Sequence, residues 1–195
     1  MWSTPSHERP EATLDLEAAL ESCLDGATVH GLEIGVNIEI KNIPGDMGGD
    51  HVPRSLEVVD SVLEVLEHRS ARGIHQRILI SSFDPETIDR VRALGGPPTA
   101  QLVLDVNAWT DVIESTAERG HSYVHPWDPF VDEAFMDAAR AAGVGVNAWT
   151  VDDPVRIVEL ARLGVDGIVT NVPAAARRVL ESSGPGGGGE FVTDE

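Results

Sequence analysis

The first chemical signal in this 195-residue chain is a pair of opposite charges two residues apart. In Val36-Asn37-Ile38-Glu39-Ile40-Lys41, the apolar Val36, Ile38 and Ile40 alternate with Asn37, Glu39 and Lys41. A period of two puts the apolar side chains on one face of a strand and the polar ones on the other. Glu39 and Lys41 then share a face at the strand's C-terminal end. Lys41 is also the chain's only lysine. A carboxylate oxygen suits a hard cation such as Ca²⁺ or Mg²⁺, and an adjacent ammonium neutralises an anionic substrate oxygen. The same two residues would also serve as a structural Glu–Lys pair filling the inside of a curved sheet, and the segment by itself leaves both readings open.

Other titratable residues carry weaker signals. His125 ends a short apolar run before Pro126-Trp127 and reads as a hydrogen-bonded structural group, with a place at a site mouth as the alternative. His51 follows Asp46 and Asp50 in a Gly-rich loop. That loop lacks the twelve-residue calcium-binding pattern and reads as a solvated turn. His7-Glu8 has no strand or glycine-turn context, and His30, His68, His75 and His121 carry no motif. Cys23 falls on a helical stripe with Leu16, Ala19 and Leu20, so it reads as a small buried hydrophobe. A single cysteine excludes an internal disulfide and a cysteine zinc site.

These residues need elements to position them, and the chain alternates strand and helix. Thr13 caps a first helix, and Ile34–Lys41 is a strand. Pro53 opens a helix with Leu56, Val59, Leu63 and Leu66 on one stripe. Ile78–Ser82 is a buried strand followed by Asp84-Pro85, an N-cap and first-turn pair for a helix through Leu94. The strand Ala100–Val106, the helix Val112–Glu118, the short strand Tyr123–His125 and the helix Val131–Ala142 follow, with Gly143 as the stop. Val144–Thr150 is a strand, Asp153-Pro154 repeats the cap signal, Val165–Thr170 is the last strand, and Pro173 opens a final helix to about Leu180. Continuous apolar strands between helices of this length imply a parallel sheet of right-handed βαβ units. An open doubly wound sheet and part of an eight-stranded barrel both fit. No Gly-x-Gly-x-x-Gly or Walker loop is present, which disfavours a nucleotide-binding doubly wound fold. Val-Asn-Ala-Trp-Thr occurs at 106–110 and again at 146–150, but the flanks differ and chance convergence is the better reading.

Four segments in register carry a family resemblance: Asn37-Ile38-Glu39-Ile40-Lys41-Asn42, Ser81-Ser82-Phe83, Asn147-Ala148-Trp149-Thr150-Val151-Asp152-Asp153, and Gly164 through Pro173. In order and spacing they resemble the later strands of the glycerophosphodiester phosphodiesterases, over about Thr13 to Leu180. The resemblance implies a TIM barrel of the (β/α)8 type, here truncated at its N-terminus to about the last five or six βα units. It implies an irregular segment 1–12, a partial barrel over 13–181 and a flexible Gly-rich tail over 182–195. The implied reaction is metal-dependent hydrolysis of a glycerophosphodiester to sn-glycerol 3-phosphate and an alcohol. Glu39 matches a ligand of the divalent metal, Ca²⁺ or Mg²⁺. Lys41 matches the catalytic cation that steadies the phosphate, while Phe83 and Trp149 match apolar positions on the glycerol side of the pocket. Ordinary barrel packing is the alternative for both aromatics.

In that family a His-Arg-Gly strand, a Glu-x-Asp metal pair and a His-Asp strand precede the Glu-x-Lys strand. Here 38 residues precede Glu39 and none carries those motifs. The general acid and base histidines and two of three metal carboxylates are therefore expected to be missing, and the chain to be inactive alone. Alternatives are a non-catalytic phosphate-binding or barrel-completing subunit, associating through exposed sheet edges, or a fragment of a mis-called gene.

Composition narrows the partners. With 14 Lys+Arg against 33 Asp+Glu, the formal net charge is −19. Such a surface disfavours nucleic acid and anionic lipid, both held by excess Lys and Arg. No run approaches the roughly 20 apolar residues of a membrane span, and no signal-peptide pattern opens the chain, so a cytoplasmic location is expected.

Overall fold

The computed structural model describes residues 15–29, 35–41, 51–68, 77–104 and 109–183. Helix α1 (Leu16–Val29) precedes strand β1 (Val36–Glu39). Five βα units follow β1's crossover helix α2 (His51–His68): β2 (Ile78–Ser82) with α3 (Pro85–Ala93), β3 (Thr99–Val103) with α4 (Trp109–Glu118), β4 (Tyr123–Pro126) with α5 (Glu133–Ala142), β5 (Gly145–Ala148) with α6 (Pro154–Leu163), and β6 (Gly167–Ile168) with α7 (Pro173–Ser182). A 3₁₀ turn, Asp128–Phe130, bridges β4 and α5.

All five strand pairings are parallel and the order is β1-β2-β3-β4-β5-β6. That order decides between the two architectures left open by the sequence. A doubly wound sheet reverses direction at a switch point and carries helices on both faces. A sheet that never reverses, with right-handed crossovers, keeps its helices on one side and curls as a barrel does. The structure is a six-stranded half-barrel.

The helix-covered face holds the apolar core. Around β1 and β2, Ile40, Ile78 and Ile80 pack with Leu20, Val59, Leu66 and Val91 from α1, α2 and α3. Around β3 to β5, Val103, Val124 and Val146 pack with Ile113, Phe135, Met136, Ile157 and Leu160 from α4, α5 and α6. These residues are strand positions of one parity. The other parity faces the barrel interior.

Helix starts follow the cap signals closely. Asp84 accepts hydrogen bonds from Glu86 N at 3.3 Å and Thr87 N at 3.1 Å, with Pro85 in the first turn. Asp153 accepts from Val155 N at 3.0 Å ahead of Pro154, and Asp132 accepts from Phe135 N at 2.8 Å. Each satisfies backbone donors that a helix start leaves orphaned. Gly143 and Gly164 close α5 and α6 at φ 70° and 83°, the left-handed geometry glycine adopts without penalty.

Several boundaries and one burial expectation are corrected. The α1 cap is Asp15, whose carboxylate accepts from Ala18 N at 2.8 Å, and Thr13 lies outside the described residues. Cys23 is exposed rather than buried. The face of α1 that meets the sheet is set by Leu20 and Leu24, one turn apart, and Cys23 lies off it. Helix α2 starts at His51, two residues before Pro53. Leu94 is an exposed C-cap rather than part of the α3 stripe. β5 and β6 are shorter than the apolar runs containing them, β1 stops before Ile40 and β3 before Leu104, because a strand ends where its neighbour's ladder ends; Ile34 and residues 105–106 lie outside the described residues. Ser182, expected in the tail, closes α7. The two Val-Asn-Ala-Trp-Thr copies differ at their Trp-Thr ends: Trp109 and Thr110 open α4, whereas Trp149 and Thr150 follow β5 outside any helix, and 106–108 lie outside the described residues.

Candidate active site

In a parallel barrel the C-terminal strand ends and their loops form the mouth where ligands bind. Interior-facing positions follow from the registers. One continuous row crosses five strands, pairing Glu39 with Ser81, Ser81 with Ala100, Ala100 with Tyr123, and Tyr123 with Gly145. Lys41 and Phe83 lie one step nearer the mouth, just past the ends of β1 and β2. His125 and then Trp127 follow Tyr123 on β4, and Asn147 and then Trp149 follow Gly145 on β5. The four site residues expected from sequence thus share the interior face at the C-terminal ends of their strands.

The first pair is positioned by the residue between them. Ile40 is buried on the helix side, its N–H donates to Ser81 O at 2.8 Å, and its carbonyl accepts from Ser82 Oγ at 2.8 Å. With Ile40 held on both sides, Glu39 and Lys41 are directed away from the core, and both are exposed. Exposure beside an open interior is not what a packed structural ion pair shows, and no Glu39–Lys41 salt bridge is found among the described residues.

Phe83 and Trp149 meet although they come from β2 and β5. Their ring centroids lie 5.7 Å apart at an interplanar angle of 82°, an edge-to-face contact. Phe83 O accepts from Gln101 Nε2 at 2.9 Å, and Asp84 caps α3 immediately after it. Trp149 is held by three hydrogen bonds: its indole Nε1 donates to His125 O at 2.7 Å, its backbone N–H donates to Pro126 O at 3.1 Å, and its carbonyl accepts from Asp128 N at 2.7 Å. Arg156 holds that last partner, donating from Nε to the Asp128 carboxylate at 2.6 Å and from Nη2 to Asp128 O at 2.7 Å.

Beyond Trp149, Asp152 ties the β5 and β6 loops. Its carboxylate accepts from Thr170 Oγ1 at 2.9 Å, Asn171 N at 2.8 Å and Asn171 Nδ2 at 2.8 Å. These bonds, the Asn171 side chain's above all, hold Asp152 below the usual carboxylate range.

Beneath the aromatic contact lies a polar pair with little sequence signal. His125 is 2% exposed and its Nε2 lies 2.9 Å from Asn147 Nδ2. Burial lowers its pKa to about 4, so the ring is neutral at pH 7. His125 thus faces the interior and is engaged by Asn147. Only its parity with Tyr123 and Trp127 could have placed it inside the barrel. His121 is buried on the helix side, with Nδ1 2.7 Å from Thr99 Oγ1 and Nε2 3.2 Å from Asp89. His68 ends α2, with Nδ1 2.7 Å from Glu64 O. His51 opens α2, while Asp46 and Asp50 lie outside the described residues. Among the described residues, no group of three or more His, Cys, Asp or Glu is placed to hold a metal ion. Among them, too, no helix is long and apolar enough to cross a membrane.

Comparison with known proteins matches this arrangement. A protein of Silicibacter pomeroyi DSS-3, solved by crystallography and named as a glycerophosphoryl diester phosphodiesterase, superposes with a TM-score of 0.71 at 27% identity, over 87% of this chain and 56% of that one. An Oleispira antarctica phosphodiesterase, solved in complex with the product sn-glycerol-3-phosphate, superposes with a TM-score of 0.64 at 21% identity, over 86% of this chain and 61% of that one, a likeness of fold. Glycerophosphodiester phosphodiesterase GDPD4 of Arabidopsis thaliana is 33% identical over 63 residues, 32% of this chain and 19% of that protein. The chain therefore spans little more than half the length of the solved relatives and a fifth of the plant protein. The model of the glycerophosphoryl diester phosphodiesterase family matches residues 5–175, most of the chain, which belongs to that family.

Proposed function

We propose that this chain provides the phosphate- and glycerol-facing side of a phosphodiester hydrolase site acting on glycerophosphodiesters. The observation that carries the reading is the convergence of Glu39, Lys41, Phe83 and Trp149 on one interior face at the strand C-termini, with the two rings in contact at 5.7 Å. Glu39 is one carboxylate ligand of a divalent ion, Ca²⁺ or Mg²⁺. Such an ion, when bound, draws charge from a phosphoryl oxygen. Lys41 Nζ donates to a non-bridging phosphate oxygen, where an ammonium acts as a compact point charge. The Phe83 and Trp149 rings cover the carbon side of the glycerol and exclude water from it.

Proton transfer to the leaving alcohol and from water needs groups beside the phosphorus, worth about 10²–10⁴-fold in rate. The described histidines His68, His121 and His125 are each engaged elsewhere. This chain alone is accordingly proposed to turn over slowly or not at all. The test is hydrolysis of bis(p-nitrophenyl) phosphate and glycerophosphocholine with and without a chelator. Robust chelator-sensitive turnover by these 195 residues would show that the acid and base lie within the chain.

The strand order favours a second component of this reading. β1 and β6 are each paired on one side only among the described residues, and an edge with unpaired backbone groups is a template for another strand. We propose that these edges are where the half-barrel associates.

A further inference from the structure

Ser81 has a buried hydroxyl with no hydrogen-bond partner among the described residues, although the residue is only 1% exposed. Such a group is uncommon in a folded protein, because removing it from water without a partner costs about 1–3 kcal/mol. In its row, Ser81 has the methyl group of Ala100 on one side and Glu39 on the other. The next hydroxyl along, Ser82 Oγ, has the opposite parity and is used within the fold, donating to Ile40 O. Ser81 shares its face with Phe83, two residues nearer the mouth.

From these observations we propose that Ser81 is a specificity-determining residue of the site. Its Oγ hydrogen-bonds the secondary hydroxyl of the glycerol moiety, between the phosphate side marked by Glu39 and Lys41 and the apolar side marked by Phe83 and Trp149. This rests on the reading of the site given under Proposed function. The ligand class is a phosphate ester whose alcohol carries a free secondary hydroxyl on the carbon next to the esterified one. An ester lacking that hydroxyl leaves Ser81 unsatisfied in the complex, as it is without ligand.

The test compares sn-glycerol 3-phosphate with 3-hydroxypropyl phosphate, which has the same chain length and lacks the secondary hydroxyl. Both are titrated calorimetrically, with Mg²⁺ or Ca²⁺ present, into the full chain and into Ser81→Ala. The full chain is expected to prefer the glycerol ester by about three- to tenfold, the worth of one neutral hydrogen bond, and Ser81→Ala to bind both equally. Urea unfolding without ligand is expected to leave Ser81→Ala at least as stable as the parent, since no bond inside the fold is lost. A preference that survives in Ser81→Ala, or binding by the parent with no preference, overturns the role of Ser81 and leaves the site reading standing. A clear loss of stability in Ser81→Ala shows that the hydroxyl has a partner within the fold and overturns the role as well. If the parent binds neither ester, the site reading falls and this inference with it.

Discussion

The buried imidazole of His125 makes a quantitative statement about acid stability. The ring titrates near 4 in the folded chain and near 6.5 once unfolded, because burial penalises its charged form. The folded state therefore binds fewer protons between these values, and stability falls as pH drops through 6.5 toward 4. At pH 7 the deficit is negligible; at pH 5 it reaches about 2 kcal/mol and below pH 4 it levels near 3 kcal/mol. Protonation also turns Nε2 into a donor facing the Asn147 amide nitrogen, 2.9 Å away, so one of the two groups must rotate. The assay is urea unfolding at pH 7 and pH 5 for the parent chain and for His125→Gln, which removes the titration and keeps an amide beside Asn147. Exposed carboxylates and His121 titrate in both proteins and cancel in the difference. The parent should lose about 2 kcal/mol more than the variant between the two pH values. Losses equal within about 0.5 kcal/mol would mean that the imidazole is hydrated in the folded chain and would refute the desolvation argument.

Three other outcomes follow from the same geometry. A Cβ added at Gly145 would lie 2.5 Å from the Tyr123 ring, so Gly145→Ala should destabilise by about 1–3 kcal/mol, read as a lowered Tm. Lys41→Ala should weaken sn-glycerol 3-phosphate binding in calorimetry by about tenfold while moving Tm little, since the side chain is exposed; a large drop in Tm with unchanged binding would return Lys41 to a structural role. Light scattering should give a mass above the 20.9 kDa of one chain if β1 and β6 associate, and a clean monomer would count against that proposal.

How much of this was readable beforehand depended on how local each cause is. The Asp84-Pro85 and Asp153-Pro154 helix starts and the Gly143 stop arise within a few residues, and all three stand where the sequence places them. The alternation around Glu39 and Lys41 is equally local, and it put both on the open face of β1. Cys23 was misplaced because which stripe of α1 is covered depends on where β1 and α2 lie, and a loose apolar pattern there admits more than one face. Strand lengths were overestimated for a similar reason: β3 stops before the apolar Leu104, and its ladder partner on β4 ends at Pro126. The contact between Phe83 and Trp149 joins residues 66 positions apart, and it follows only from the curl of the sheet. His125 gave only a weak signal through residue type, and Ser81 gave one only as part of the Ser81-Ser82-Phe83 segment. Their interest comes from parity and from what stands beside them.

The two Asp–Pro helix starts carry a consequence for how the mouth tolerates change. Asp84 follows Phe83 directly, and Asp153 comes four residues after Trp149, so the backbone under each ring is gripped by a helix on the outside of the barrel. The rings can therefore be exchanged for other side chains without dismantling the loops that present them, and pocket shape is free to drift while its frame stays constant. Conversely, if the rings face the glycerol as proposed, replacing Asp84 or Asp153 would blur ligand selection from outside the pocket, by letting the first turn of α3 or α6 fray and the ring above it wander.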